Sequence, residues 1–212
     1  DEAEAIKYYG EGNYRAETDT FDTWFSSSQW PYATLMTTGE EDFNTFYPTT
    51  LMGTAVEILH KWVTRMIMFG LYATNKVPFK NVYLWGTVTD EKGQKLSKSK
   101  GNYDDPMEIT AKYGTDALRM SLSIGITAGN NGALYEEKVQ GYRNFCNKMW
   151  NVARFILAKI PEGTKPENAK VLSPADNWII GKINTTIESV TKNIEAYRFS
   201  EAGQAIYTLL WE

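Results

Sequence analysis

The middle of the chain contains the stretch Gln94-Lys95-Leu96-Ser97-Lys98-Ser99-Lys100-Gly101-Asn102. Two lysines stand three residues apart, serine hydroxyls alternate with them, and Gly101 lets the backbone bend. Lysine is a flexible point charge that can follow a phosphate group, and serine hydroxyls can donate to the remaining phosphate oxygens. The pattern indicates a mobile phosphate-binding loop, which we call the clamp loop (residues 94–102). A solvated basic turn is the alternative.

The segments before the clamp loop predict a helix and then a strand. Residues 54–73 carry apolar side chains at helical spacing, and Pro78 blocks continuation of a helix. Residues 82–88 are β-branched and aromatic, which predicts a buried strand. Residues 90–93 have the composition of a turn. The clamp loop is therefore expected to follow the end of a strand.

The segments after the clamp loop are predicted to be helical. Asp105-Pro106 begins one helix, since proline is favoured at the first helical position. Residues 115–124 and 136–160 form two more. This order of helix, strand, loop and helix suits half of a doubly wound nucleotide-binding fold. The first part of the chain is therefore predicted to be α/β.

The last third predicts an all-α bundle. Residues 161–170 read as a polar linker. The sequence Ser173-Pro174-Ala175-Asp176 is a helix start with a serine cap, a proline and an acid in the first turn. An apolar stripe follows at Ile180, Ile183, Ile187, Val190 and Ile194, and Ser200 is expected to open a further helix.

Composition excludes several classes of protein. The single cysteine, Cys146, excludes an internal disulfide and a cysteine zinc cluster, and it fits a reducing compartment. The net charge of −4 is not that of a generally basic nucleic-acid binder. The chain contains no apolar run of membrane-spanning length. It also lacks a G-x-x-x-x-G-K-[ST] loop, which argues against an unrelated phosphate-binding protein such as a kinase.

The two ends of the sequence carry predictions about how the chain is organised. The chain begins at Asp1 and ends within a helical pattern, so we expect an internal segment of a longer polypeptide. Residues 1–20 are polar and contain Gly10 and Gly12, which predicts an irregular arm leading into the fold.

Five further motifs accompany the clamp loop in a fixed order. They are Asp22-Thr23-Trp24-Phe25-Ser26-Ser27-Ser28-Gln29-Trp30-Pro31, Tyr47-Pro48-Thr49, Trp62-Val63-Thr64-Arg65-Met66-Ile67-Met68-Phe69-Gly70, Val77-Pro78-Phe79-Lys80-Asn81-Val82-Tyr83 and Tyr113-Gly114-Thr115-Asp116-Ala117-Leu118-Arg119. This ordered set resembles the class I aminoacyl-tRNA synthetases, most closely the valyl family and less closely the isoleucyl and leucyl families. The clamp loop corresponds to their KMSKS signature, with Leu96 in place of Met, a change that conserves volume.

The resemblance implies a fold, a reaction and partners. Residues 1–125 would be the second half of the Rossmann-like catalytic domain, 126–172 a connecting helical region with its linker, and 173–212 the start of an anticodon-binding bundle. The whole enzyme would use ATP and Mg²⁺ to activate valine and would transfer it to tRNA(Val), in the cytoplasm and as a monomer without membrane contact. The segment alone is expected to be inactive. An isoleucine–tRNA ligase and a non-catalytic tRNA-binding module are the alternatives.

The resemblance also assigns residues to sites. Lys95 and Lys98 would stabilise the β- and γ-phosphates of ATP. Leu96, Ser97 and Ser99 would complete the loop, with Gly101 as its hinge. The amino-acid pocket would be lined by Trp24, Ile58 and Trp62.

The chain departs from the family pattern just before Trp62. Ala55 stands where glycine is usual, and Glu57 stands where aspartate is usual. Glu57 would contact the adenosine ribose, or it is a surface carboxylate. His60 is the only histidine, so the two-histidine HIGH signature that contacts ATP in the family is not in this chain. We expect His60 to be partly exposed and structural.

Two other groups of charges have modest expected roles. Asp116 and Arg119 lie one helical turn apart and would form a local ion pair or support the clamp loop. Basic residues along the predicted 136–160 helix would contact tRNA phosphates or simply form a solvated face; they are Arg143, Lys148, Arg154 and Lys159.

Overall fold

A computed structural model describes residues 1–102, 105–165, 170 and 173–211 of the chain. The chain divides into two compact units, residues 1–51 with 58–81 and residues 52–57 with 82–212. The predicted pocket residues Trp24, Ile58 and Trp62 belong to the first unit. Glu57 and the clamp loop belong to the second.

The first unit consists of short helices around a core rich in aromatic side chains. Its helices are α1 (Glu2–Tyr9), α2 (Thr23–Ser28), α3 (Trp30–Thr38), α4 (Glu40–Phe46) and α5 (Thr64–Thr74). Helix α5 packs against α2 and α3. The buried side chains of this unit include Tyr32, Tyr47, Val63, Met66 and Phe79. Burial of this apolar surface is the main stabilising contribution available to the unit.

Helix α1 corrects the prediction of an irregular arm at residues 1–20. The Asp1 carboxylate accepts from the backbone N–H of Glu4 at 2.8 Å, and the Glu4 carboxylate accepts from the Asp1 ammonium nitrogen at 3.5 Å. This capping box satisfies groups that a short helix would otherwise leave unpaired. The helix then ends at Gly10, whose φ of 82° lies in the left-handed region. The glycines stop the helix, as predicted, but they do not prevent one from forming before them.

The predicted helix at 54–73 begins later than the apolar pattern indicated. Strand β1 (Thr49–Ala55) runs into a 3₁₀ turn at Val56–Ile58 and then a π-helical turn at Leu59–Val63, and only then does α5 begin. The Leu59 carbonyl accepts from both the backbone N–H and the hydroxyl of Thr64. An i→i+5 bond of this kind widens the turn by one residue. Apolar spacing alone does not distinguish such a turn from an α-helix.

The predicted strand at 82–88 is two strands. Strand β2 (Phe79–Trp85) pairs with β1, and β3 (Val88–Thr89) pairs in parallel with β4 (Gly132–Ala133), with Val88 opposite Gly132. The break falls at Gly86, where a Cβ would collide with the backbone of Asn130. Glycine permits this close approach, and the strand cannot continue straight through it.

The second unit is completed by five helices among the described residues. They are α6 (Pro106–Tyr113), α7 (Thr115–Ser123), α8 (Glu136–Lys159), α9 (Pro174–Glu195) and α10 (Phe199–Trp211). Helix α7 packs on α8, and α9 packs on α10. The Phe145 and Tyr207 rings, with centroids 4.7 Å apart, join α8 to α10. Phe145 and Val139 are almost fully buried and mark the core of this unit.

The predicted helix starts in this unit are confirmed. The Asp105 carboxylate accepts from the N–H of Met107 ahead of α6, and Ser173 and Asp176 form a capping box ahead of α9. The last helix begins at Phe199, one residue before the predicted Ser200. The apolar stripe of α9 is largely exposed, with Ile187 58% accessible. Residues 166–169 of the predicted linker lie outside the described residues.

None of the helices in the described part of the chain has both the length and the apolar character needed to cross a membrane.

Candidate functional site

The clamp loop begins as the second arm of a tight hairpin. Thr89 faces Lys95 in an antiparallel bridge, and the N–H of Leu96 donates to the Val88 carbonyl at 3.2 Å. Between these arms the Asp90 Oδ1 atom accepts from the N–H groups of Lys92 and Gln94 at 3.0 and 2.8 Å. The turn predicted at 90–93 is confirmed. Because the hairpin fixes its backbone, Lys95 projects from a defined position.

The rest of the loop is compact. A 3₁₀ turn spans Lys98–Lys100 and ends at Gly101, whose φ of 69° reverses the chain. The Ser97 and Ser99 hydroxyl oxygens lie 2.9 Å apart. The side chains of Lys95 and Lys98 are exposed, whereas Leu96 and Ser97 are half-buried. This arrangement presents cations to solvent from a structured backbone.

Glu57 lies against the first lysine of the loop. Its carboxylate oxygens are 3.3 and 3.4 Å from Lys95 Nζ, and the Thr87 hydroxyl donates to it at 2.9 Å. The Thr87 hydrogen bond and then the Lys95 contact lower the pKa of Glu57. A lowered pKa means that this ionic contact is present above the ordinary carboxyl range and is lost as the pH falls through the lowered value. Because both side chains are exposed, salt will weaken the pair.

The predicted pocket residues lie on adjoining segments of the first unit. Trp62 belongs to the π-helical turn, and its indole N–H donates to the Ser27 carbonyl of α2 at 3.3 Å. The Ser28 hydroxyl donates to the Trp24 carbonyl within α2. Trp24, Ile58 and Trp62 are all half-buried. Helix α2 is also tied to α5 by the ion pair between Asp22 and Arg65, at 3.2 Å.

Three smaller predictions can be compared with the structure. His60 is exposed in the π-helical turn. Asp116 and Arg119 form a local ion pair at 3.7 Å on α7, as one of the two alternatives predicted. On α8, the Lys148 ammonium lies 4.2 Å from the centroid of the Trp211 ring. That lysine is half-buried and therefore belongs less to a solvated face than the sequence indicated.

The sequence did not reveal the side-chain contacts of three residues that shape the loop. Thr87 binds Glu57, Asp90 caps the turn, and Asn102 closes the loop through its side-chain amide. The first contact joins residues far apart in sequence and leaves no local signal. Asp90 and Asn102 carry a weaker one, because Asp and Asn in turns commonly bond to nearby backbone groups.

Metal-binding clusters are absent from the residues that the structure describes: no three His, Cys, Asp or Glu side chains come together to hold an ion.

Comparison with known proteins places these features in context. The sequence profile of "tRNA synthetases class I (I, L, M and V)" matches residues 1–133, and that of "Anticodon-binding domain of tRNA ligase" matches residues 176–212. The valine–tRNA ligase of Bacillus cereus is 44% identical over 94% of the chain, and that of Geobacter sulfurreducens is 42% identical over 95%. The chain covers 23% of each of these relatives, so it spans about a quarter of their length.

A solved structure is similar in fold. A LeuRS from Agrobacterium radiobacter, in a ternary complex with tRNA and LeuAMS, matches with a TM-score of 0.78 and 21% identity. The match covers 94% of this chain and 27% of that one. It confirms the predicted fold class, an α/β segment followed by helices.

Proposed function

We propose a function from one premise: the chain belongs to the class I tRNA synthetases, the family of the isoleucine, leucine, methionine and valine enzymes. Within that family we assign it to an ATP-dependent valine–tRNA ligase, of which it forms one segment. Relatives named valine–tRNA ligase at 40–44% identity over nearly the whole chain support the choice of valine. Isoleucine is the alternative amino acid.

The observation that carries the proposal is the position of the Lys95 ammonium. It lies at the end of a fixed hairpin, 3.3 Å from a carboxylate oxygen of Glu57. Carboxylate and phosphate oxygens are equivalent acceptors for a lysine, so an anionic oxygen of a phosphate can take this place. Leu96, Ser97, Lys98 and Ser99 follow Lys95 in the same loop, where the Ser97 and Ser99 hydroxyl oxygens lie 2.9 Å apart. We assign these residues, with Glu57 as the resting partner of Lys95, to the ATP site.

The first chemical step requires positioning and charge stabilisation more than proton transfer. A carboxylate oxygen of valine forms a bond to the α-phosphorus of ATP. The bond between that phosphorus and the oxygen that bridges to the β-phosphate breaks. Pyrophosphate leaves with the electron pair. Lys95 and Lys98 hold the β- and γ-phosphates and offset the negative charge that grows on them. A tRNA ribose hydroxyl then attacks the valyl carbonyl, and AMP leaves.

The pocket assignment is separate from the clamp. Trp24, Ile58 and Trp62 would line a small apolar site that recognises a branched aliphatic side chain by shape and dispersion. The Trp62 indole is held by the Ser27 carbonyl, which supports a fixed wall. A pocket of this kind discriminates weakly against near-isosteres, and the valyl enzymes are a known example of that limit.

The remaining proposals concern partners and organisation. We divide the chain into catalytic residues 1–125, connecting residues 126–172 and a bundle from 173, which would face the anticodon end of tRNA(Val). The profile match at residues 176–212 supports the last assignment. Magnesium would be carried by the ATP phosphates, and no described residue is assigned to it. We place the reaction in the cytoplasm and the whole enzyme as a monomer.

The test is amino-acid-dependent pyrophosphate–ATP exchange by the full-length polypeptide that carries this chain, with valine, isoleucine and leucine compared. We expect exchange to be fastest with valine. Lys98→Ala should slow it by about a hundredfold or more, the range in which one stabilising charge contributes to a transition state. The valine KM should change little.

A matched control removes an exposed lysine outside the clamp loop. Lys92→Ala, in the turn at 90–93, should leave exchange unchanged. Exchange fastest with isoleucine would move the chain to the sister enzyme. No exchange with any amino acid would favour the non-catalytic tRNA-binding module.

A further inference from the structure

The Asn102 side-chain amide makes three hydrogen bonds to the turn and the clamp loop. Its Nδ2 atom donates to Asp90 Oδ2 at 3.0 Å and to the Lys95 carbonyl at 3.3 Å. Its Oδ1 atom accepts from the N–H of Ser97 at 2.9 Å. One amide therefore joins the turn before the clamp loop to the backbone on both sides of Leu96.

We propose that Asn102 and Asp90 are positioning residues, a brace that sets where Lys95 and Lys98 stand when ATP is bound. The proposal rests on the function proposed above. Neither side chain needs to touch the substrate. The brace acts through the backbone that carries the two lysines.

The Asp90 end of the brace is itself fixed. Its Oδ1 atom accepts hydrogen bonds from the backbone N–H groups of Lys92 and Gln94, which leaves Oδ2 to accept one from the Asn102 amide. The Asn102 hydrogen bond is the main cause that lowers the pKa of Asp90. The carboxylate is thus ionised at neutral pH, and hydrogen bonds to an ionised acceptor are stronger than neutral ones.

The other end of the brace controls the peptide groups next to Leu96. The Lys95 carbonyl and the Ser97 N–H both point at the Asn102 amide, so neither peptide can rotate without breaking a bond. Gly101 makes this possible, because its left-handed φ of 69° turns the chain back toward Asp90. A small rotation here would be magnified along the lysine side chains. Misplacement of a reacting group by about 1 Å can reduce a rate by about a hundredfold.

The residue type is specific to this geometry. Aspartate at this position has the acceptor for Ser97 but no donor, and it would set two carboxylates against each other at Asp90. Alanine would remove all three hydrogen bonds, those with Asp90 Oδ2, the Lys95 carbonyl and the Ser97 N–H. The exchange of the two side chains, Asp90→Asn with Asn102→Asp, places an amide donor at position 90 opposite a carboxylate acceptor at position 102. It also keeps an acceptor for the Ser97 N–H.

The experiment compares four full-length polypeptides in pyrophosphate–ATP exchange: the parent, Asn102→Asp, the exchanged double variant, and Asn144→Asp as a control at an exposed asparagine of α8. Asn102→Asp should lower kcat by about tenfold or more and raise the ATP KM, with the valine KM within about twofold. The double variant should recover much of this loss. The control should behave as the parent.

A second readout follows the loop itself, by hydrogen–deuterium exchange of peptides covering 94–101. Asn102→Asp should increase the deuterium uptake of this segment, while the uptake of the α8 peptides should not change. The brace is overturned if the parent is active and Asn102→Asp matches the control, or if the valine KM rises and thermal stability falls together with the loss of ATP use. If the parent itself shows no exchange, the proposed function fails, whereas the deuterium readout still decides the brace.

Discussion

The Lys95 side chain of the clamp loop and the segment around Trp62 are held in place by opposite means. The contact that holds Lys95 is exposed and polar, since the Lys95 and Glu57 side chains are 62% and 60% accessible. Around Trp62, the fixing groups are buried, with Val63 and Met66 only 2% and 1% accessible. Exposed ion pairs contribute little free energy, whereas buried apolar side chains contribute much. The Lys95 ammonium can therefore exchange partners at low cost, whereas the Trp62 segment is held in place by packing.

This difference matches the demands of the proposed reaction. A phosphate clamp must follow a group whose charge and position change, and weak exposed contacts permit that movement. An apolar pocket selects its ligand by shape, so the side chains that line it must keep their positions. The comparison can be tested by removing one contact from each region and measuring which property fails.

The largest expected effect is on the buried side. Met66→Ala should destabilise the first unit by about 2–5 kcal/mol, because it leaves a cavity in a packed core. Met68→Ala, two residues along the same helix and 63% exposed, is the matched control and should cost little. Urea unfolding of the full-length polypeptide measures both free energies. Equal losses would show that the segment is not held by burial.

The next effect tests whether the fixed wall is a ligand pocket. Trp62→Ala should raise the valine KM by at least about tenfold while the ATP KM changes less, because an apolar contact to the side chain is lost. Trp62→Phe keeps a ring but loses the bond to the Ser27 carbonyl, so its effect should be smaller. Trp178→Ala, at an exposed tryptophan of α9, is the control. A greater effect on the ATP KM would remove Trp62 from the pocket.

The smallest effect is expected at the exposed pair. Glu57→Gln keeps an acceptor for the Thr87 hydroxyl but releases Lys95 from a competing charge. The ATP KM should fall about two- to threefold at low salt, and the difference should vanish at high salt. Steady-state exchange at two ionic strengths measures it. A rise in the ATP KM would instead assign Glu57 to the nucleotide ribose, the contact predicted from the sequence.

Most local signals were read correctly from the sequence, the capping box of α1 being the exception, and long-range contacts were not predicted. Ser173 and Asp176 predicted the start of α9 because a capping box involves only neighbouring residues. The turn at Asp90 and the start of α6 at Pro106 were predicted for the same reason. The ion pair between Glu57 and Lys95 joins residues 38 apart, and nothing in either segment indicates the other.

The two misassigned elements at residues 54–73 and 82–88 have a related physical origin. The pattern at residues 54–73 records which side chains are apolar, but the hydrogen bond from Thr64 to Leu59 decides the width of the turn. The strand at 82–88 is divided by the backbone of Asn130, a neighbour that only the fold supplies. The roles of Lys95, Lys98 and the tryptophans came from resemblance, and they stay predictions until the kinetic tests are made.

The π-helical turn at Leu59–Val63 has a consequence for how this segment tolerates insertions and deletions. A π turn is equivalent to one residue inserted into an α-helix. Deleting a single residue there would let α5 extend backward as a regular helix with little net rotation of the segment before it, because the turn now holds one residue more than an α-helical turn. The side chains that remain in the turn, Trp62 among them, would be redistributed around it although no pocket side chain had been replaced. Segment length, as well as residue identity, therefore decides how this turn presents Trp62.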